Sequence, residues 1–300
     1  MSRRRHILAA AIAAVALAGC GGSGGGSAEA PKSSRLVDLE AKPPLVNALD
    51  IDPADGRFLL TTNRGFFRID PKTDKVEQVR GTITANGESS TVGTFLELTS
   101  IGPKTLLGSG HPDEEGTLPA YLGFLRSDDA GRSWQVLSRL GEADLHKIIE
   151  QHGRIYAFDA VLGAMLISDD GGRTFIERFT PRGLVIDFVV DPKDPSYILA
   201  STEDQLFRSE DEGEKWRGIL SAQGMRLTWP APDMLLRADQ DGRVYRSSDR
   251  GQTFQPVGQV PGEPYKFKTV DAQRQFLALS DGTIVATQDG GKTWRTEFKP

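Results

Sequence analysis

Four histidines and a few carboxylates are the residues of this 300-residue chain best suited to chemistry. His111 lies in Gly108-Ser109-Gly110-His111-Pro112-Asp113, and His146 in Gly141-Glu142-Ala143-Asp144-Leu145-His146. Asp144 and His146 stand two apart in an extended run, so both side chains leave the strand on one side. Two imidazoles and nearby carboxylates suit a divalent metal or a general acid–base pair. His111, His146 and Asp187 are the candidate ligands. Asp113, Glu142, Asp144 and Asp159 are the candidate acid and base, because glycoside hydrolysis needs two suitably spaced carboxyls. No spacing among them is diagnostic of a metal, and loop-ordering hydrogen bonds explain the same residues. His152 reads as a solvated turn histidine, and His6 belongs to the leader.

What positions these residues is a motif that recurs five times from residue 127 onward, Ser-x-Asp-x-Gly-x-Ser/Thr-aromatic. Its central aspartates are Asp129, Asp170, Asp211, Asp249 and Asp289. A period near 40 residues marks a repeat architecture, and four short strands per period point to propeller blades. Each copy sits between apolar runs, as the tight turn joining the third strand of a repeat to the fourth. The carboxylate can accept N–H groups of its own turn, and the glycine supplies a positive φ. The terminal Trp or Phe serves as an apolar plug. The third copy carries Lys215 where the others have Ser or Thr, a drift that a structural turn tolerates.

The expected fold is therefore all-β, a six-bladed β-propeller, with seven blades as the alternative count. Blade 1 is degenerate, Asp70-Pro71-Lys72-Thr73-Asp74 replacing the motif. Blade 2 is expected to begin near Gly93 after a polar loop, and to carry an insertion over 110–119. Asp187 is placed at the blade 4 position that matches His146 in blade 3. Ser34–Leu39 is a candidate closing strand. With this strand order, the first-to-second and third-to-fourth turns share one face. His111, His146 and Asp159 fall on the other face, where Arg182, Arg226 and Lys268 are expected near the channel mouth.

Residues 1–19 read as an export signal: Arg3-Arg4-Arg5, then an apolar run of 12 residues from Ile7 to Ala18, too short to span a bilayer. Leu17-Ala18-Gly19-Cys20 resembles a bacterial lipobox, which implies cleavage before Cys20, its lipidation and an extracytoplasmic location. Ser2-Arg3-Arg4 leaves the twin-arginine and general export routes both open. Cys20 is the only cysteine, so no intramolecular disulfide forms. Residues 20–34 form a Gly/Ser-rich tether, and 35–300 the folded body. Removing the leader arginines takes the net charge from −5 to −8, which argues against nucleic acid and anionic lipid as partners.

The repeated turn resembles the Asp-box, or BNR repeat, of sialidases. The stretch from Leu106 to His146, continuing through Tyr156-Ala157-Phe158-Asp159-Ala160, is similar to a family of bacterial Asp-box lipoproteins labelled glycosylhydrolases. The resemblance implies an envelope propeller. That family usually has histidines in its first blade, where this chain has Leu45-Val46-Asn47-Ala48 and Thr61-Thr62-Asn63-Arg64, so the chain departs there from the family's pattern. Likewise Phe67-Arg68-Ile69-Asp70 only echoes the sialidase Phe-Arg-Ile-Pro motif, and no arginine triad can be named. The functional expectation is a monomeric, membrane-tethered binding module for a glycan or an envelope protein, acting through the face opposite the Asp-boxes. The alternative is a glycoside hydrolase of the sialidase-like type, and a divalent metal is a possible cofactor.

Overall fold

The computed structural model describes residues 44–113 and 116–300. The signal, Cys20, the tether and the closing strand expected at Ser34–Leu39 lie outside the described residues. All regular elements among them are strands. β1 (Val46–Ile51), β2 (Phe58–Thr62), β3 (Gly65–Ile69) and β4 (Val76–Val79) form the first antiparallel sheet. β5 (Thr82–Ala85), β6 (Glu88–Gly102), β7 (Thr105–Pro112), β8 (Phe124–Ser127) and β9 (Ser133–Ser138) form the second, which closes on itself through a parallel β5–β9 pair. Four further four-stranded sheets follow. They are β10 (Leu145–Gln151), β11 (Arg154–Asp159), β12 (Ala164–Ser168) and β13 (Ile176–Arg178); β14 (Val185–Val190), β15 (Ile198–Thr202), β16 (Gln205–Ser209) and β17 (Arg217–Ser221). The last two are β18 (Arg226–Ala231), β19 (Met234–Ala238), β20 (Arg243–Ser247) and β21 (Gln255–Gln259), then β22 (Pro264–Thr269), β23 (Gln275–Leu279), β24 (Ile284–Thr287) and β25 (Arg295–Phe298).

These sheets build a β-propeller. The first strand of each four-stranded sheet, with β6 in the second, packs beside its counterparts, and β1 meets β22 to close the ring. Apolar clusters fill the spaces between neighbouring sheets. One of them joins Val46, Phe58 and Ile69 of the first sheet to Ala278, Ile284 and Phe298 of the last. Removing these side chains from water is the main force holding the ring.

The second sheet departs from the sequence expectation. Where a polar loop was expected before Gly93, β5 and the start of β6 form a hairpin, and β5 also pairs in parallel with β9. The hairpin turns at Asn86-Gly87, both with positive φ (52° and 83°), which is the strongest short hairpin signal a sequence carries. The insertion expected from residue 110 likewise begins as strand, because β7 runs on to Pro112.

The repeated aspartate turns are built as the sequence requires. Asp170 accepts the N–H of Thr174 at 2.9 Å and the hydroxyls of Thr174 and Ser168 at 2.7 and 2.8 Å. Asp129, Asp249 and Asp289 repeat the pattern, whereas Asp211 lacks the second hydroxyl because Lys215 stands there. In every copy two consecutive residues have positive φ. The second is always glycine, but the first is Ala130 (63°), Glu212 (57°) or Arg250 (62°) in three of them. Trp134 is buried and its Nε1 donates to Gly131 O at 2.9 Å, closing the plug onto its own turn.

Candidate functional site

The side chains that could do chemistry fall into two groups, and the inner strands decide the division. β1, β6, β10, β14 and β22 each carry a β-bulge, at Asn47, Leu96, His146, Ile186 and Tyr265. A bulge inserts one residue and re-aims its side chain. The blade 4 counterpart of His146 is therefore Ile186, and Asp187 matches Lys147. The expected equivalence of Asp187 with His146 is corrected by one residue, because the run from Ser168 to the start of β14 at Val185 is one residue shorter than that from Ser127 to the start of β10 at Leu145.

The first group gathers around Asp144, on the face of the connections between sheets. Asp159, fully buried at the end of β11, accepts the N–H of Asp144 at 3.2 Å and of Val161 at 2.9 Å, so it ties two loops together. Ser109 Oγ accepts the N–H of Leu145 at 3.2 Å, fixing the start of β10 against β7. Asp144 retains only 14% of its side-chain exposure and lies between both histidines. His146 Nε2 is 3.1 Å from Asp144 Oδ2, and His111 Nε2 is 3.8 Å from Asp144 Oδ1.

His111 Nδ1 lies 2.7 Å from the carbonyl of Ala120. A carbonyl only accepts, so Nδ1 carries the hydrogen, and in the neutral ring Nε2 is an acceptor. Asp144 Oδ1 is also an acceptor, buried and without a hydrogen-bond partner among the described residues. With the ring neutral, two acceptors face each other across a notch that calls for a donor. Tyr121 flanks the notch, its ring centroid 5.7 Å from that of His111. Exposed Val161 and Leu162 and, from the next connection, Leu184 add apolar surface to the same face.

The remaining candidates are not brought into this notch. Asp113 accepts the hydroxyl of Thr91 at 3.0 Å, and Glu142 is exposed in the turn before β10. His152 is exposed in its turn, with Nε2 2.8 Å from Asp191 O. Among the described residues no group of three or more His, Cys, Asp or Glu is arranged to hold a metal ion.

The second group, which the sequence reading did not assemble, lines the channel. Asp187 Oδ1 is 3.0 Å from Lys147 Nζ, Glu97 Oε2 is 3.6 Å from Lys266 Nζ, and Asp50 Oδ2 is 2.7 Å from Lys268 Nζ. The acids also staple neighbouring inner strands: Asp187 Oδ2 accepts the N–H of Leu227 at 2.9 Å, and Asp50 Oδ2 that of Ser100 at 2.9 Å. Burial pushes the Glu97 carboxyl above its usual range, Lys266 and Lys147 offsetting only part of this. Burial likewise pulls Lys266 below the usual lysine range. It acts on Lys147 too, but there Asp187 and Glu97 outweigh it and hold the ammonium above that range. Of the cations expected near the channel, Lys268 and Arg226 reach it, Arg226 donating to Ile186 O at 3.2 Å with its guanidinium 4.9 Å from the Tyr265 ring, while Arg182 is exposed in the connection before β14. The signal for this group was present in the sequence as single charges inside apolar strands, such as Phe-Leu-Glu-Leu and Val-Ile-Asp-Phe.

A channel cavity of about 520 Å³ begins at these charges. His152, Pro192, Pro230 and Val270 form its rim, at the ends of the inner strands. The aspartate turns share this side, since Arg250 of one turn bonds Asp191 and Asp194 of the neighbouring sheet at 2.6 and 2.8 Å. The cavity and the histidine notch thus belong to opposite faces.

No family model and no curated protein matches the chain. Among solved structures it is similar to YCF48 from Cyanidioschyzon merolae, at 14% identity and a TM-score of 0.54, covering 83% of this chain and 96% of that one. A second YCF48 structure, bound to D1 peptide, gives 14% identity and a TM-score of 0.56 over 83% and 94% of the two chains. The WD40 β-propeller domain of Doa1 gives 11% and 0.58 over 87% and 85%. At such identities the likeness is one of fold.

Proposed function

We propose that this chain is an exported, lipid-anchored Asp-box propeller of six blades, working as a binding module for an envelope protein or glycan. In this reading β6–β9 make the sixth blade, since they follow the same strand order and β6 packs beside both β1 and β10. The partner bridges His111 Nε2 and Asp144 Oδ1 with a donor that carries more than one hydrogen, such as an amine. The observation that carries the proposal is that pair of opposed acceptors, one buried, on a face bordered by exposed apolar side chains. A fold neighbour was solved with a peptide bound, which is compatible with a protein partner. The hydrolase reading is less well supported. Asp113 and Asp159 Oδ1 are engaged in ordering loops and Glu142 is exposed in its turn, so none of these contacts brings a second carboxyl to the Asp144 side chain.

The test uses the full-length chain with H111A and D144N. Lysine-containing peptides and an envelope-glycan panel are titrated, and fluorogenic glycosides, sialosides included, are assayed with and without zinc. Binding that both variants weaken at least tenfold is the expected result. Glycoside turnover abolished by both variants would replace the proposal with the hydrolase, and turnover only with zinc would add a metal. Binding unchanged in both would remove the notch from the site.

A further inference from the structure

The channel cavity on the face of the aspartate turns has the features of a second, separate site. Its lining combines two chemistries. Ile101, Ile149, Val189 and Trp229, from four successive inner strands, supply apolar surface, while Asp50, Glu97, Lys147 and Lys268 supply charge. Two of the lining residues are buried to 6% exposure yet leave a polar atom without a hydrogen bond, Glu97 Oε2 and Trp229 Nε1. Buried polar atoms are normally satisfied, and unsatisfied ones in a cavity wall point to a ligand.

The sign of the charge follows from the neighbouring groups. Four cations, Lys147, Lys266, Lys268 and Arg226, stand against three carboxylates, Asp50, Glu97 and Asp187. The other carboxylate lining the cavity, Glu150, is solvent-exposed. Burial favours the uncharged forms of both Glu97 and Lys266, which leaves the positive excess unchanged. Asp50 is saturated: Lys268, the hydroxyl of Thr99 and the N–H groups of Ser100 and Ile51 all donate to it. An ammonium has three N–H donors, so Lys147 and Lys268 keep donors beyond their bonds to Asp187 and Asp50.

We propose that this cavity binds a small organic acid, with its carboxylate at Lys147 and Lys268 and its apolar body against Ile149, Val189 and Trp229. The volume suits such a molecule, since small-ligand sites span roughly 300–1,000 Å³. An inorganic anion would satisfy the lysines but leave the apolar wall unused, and a neutral analogue would leave the positive excess uncompensated.

Calorimetric titration of the full-length chain with phenylacetate and octanoate tests this, with phenylacetamide, octanamide and inorganic phosphate as controls. One of the acids should bind at least tenfold more tightly than its amide and than phosphate. K268M should weaken it at least tenfold. Because Asp50 keeps three other donors, that variant is expected to fold. V270W, at an exposed rim position, should block entry without touching the charges, and H146A should have no effect. Equal binding of acid and amide, equal binding of phosphate, indifference to both K268M and V270W, or no binding of either acid at millimolar concentration would each overturn the proposal.

Discussion

Asp187 Oδ1 lies 3.0 Å from Lys147 Nζ, and the two residues occupy the same position in successive inner strands, each one step past a bulge. A salt bridge therefore stands where sequence spacing alone had aligned Asp187 with His146. Asp187 does more than pair. Its other oxygen accepts the N–H of Leu227 in the next inner strand, and Oδ1 also accepts the N–H of Phe188. One carboxylate thus joins three sheets, by an ion pair on one side and a backbone bond on the other.

Removing one partner of such a pair should cost more than removing both. Breaking a buried ion pair costs about 3–5 kcal/mol, and Lys147 retains 21% exposure, so D187N should fall near the lower end, about 3 kcal/mol. In K147M/D187N the orphaned charge is gone. Its loss should be smaller than the sum of the single losses by roughly 1–3 kcal/mol. Urea unfolding of the four proteins measures this cycle, and additive losses would mean that the two groups do not interact.

Stability should respond to acid in two opposed stages. The turn carboxylate of Asp289 is held down to about 2 by the hydroxyl and N–H of Thr293. An unfolded Asp titrates near ~3.9, so this contribution is complete above that value and is lost as pH falls from there toward about 2. Asp129, Asp170, Asp211 and Asp249 are lowered in the same direction and deepen the loss. Glu97 has the opposite sign. Burial raises it, so the folded chain takes up this proton before the unfolded one does, and stability gains as pH falls toward ~4.3. Unfolding free energy followed from pH 7 to 2 should show E97Q flattening the upper stage and D289N the lower. A D289N profile parallel to that of the wild type below pH ~4 would refute the assignment of the acid limb.

Most of the fold was legible because its determinants are local. Five copies of the aspartate turn place the third-to-fourth strand connections, and their polar atoms are consumed within the turn itself, as hydrogen bonding at Asp170 illustrates. Asn86-Gly87 carried an equally local signal that the polar run around it obscured. The site was legible only in part. Asp144 and His146 are two residues apart at the start of β10, so their meeting is local, whereas His111 reaches them from another sheet through a long β7. The channel charges depend on non-local information twice over. A bulge near the start or middle shifts five of the inner strands by one residue, and the partners of Glu97 and Asp50 lie some 170 and 218 positions away. Periodicity along one strand contains neither fact.

The two left-handed residues of each aspartate turn should respond oppositely to exchange of glycine and alanine. At Gly172, φ is +88° and an added Cβ would lie 2.0 Å from Phe124 Cε1, a buried ring of the preceding sheet. G172A therefore combines overpacking, about 1–3 kcal/mol, with a left-handed penalty of about 1–2 kcal/mol. Ala130 holds the preceding position with φ 63°, where the equivalent Gly171 and Gly290 relieve the strain in other copies. A130G should change stability by no more than about 1 kcal/mol, and upward, since the relieved strain exceeds the added freedom of the unfolded chain. Arg250 occupies the same position at φ 62°, yet R250G should destabilise, because the guanidinium bonds Asp191 and Asp194 and lies 3.8 Å from the Tyr197 ring. Thermal and urea unfolding of the three variants would rank them A130G, then R250G and G172A. A stable G172A would mean that Phe124 can move aside, and that glycine is required in this turn for its backbone angle alone.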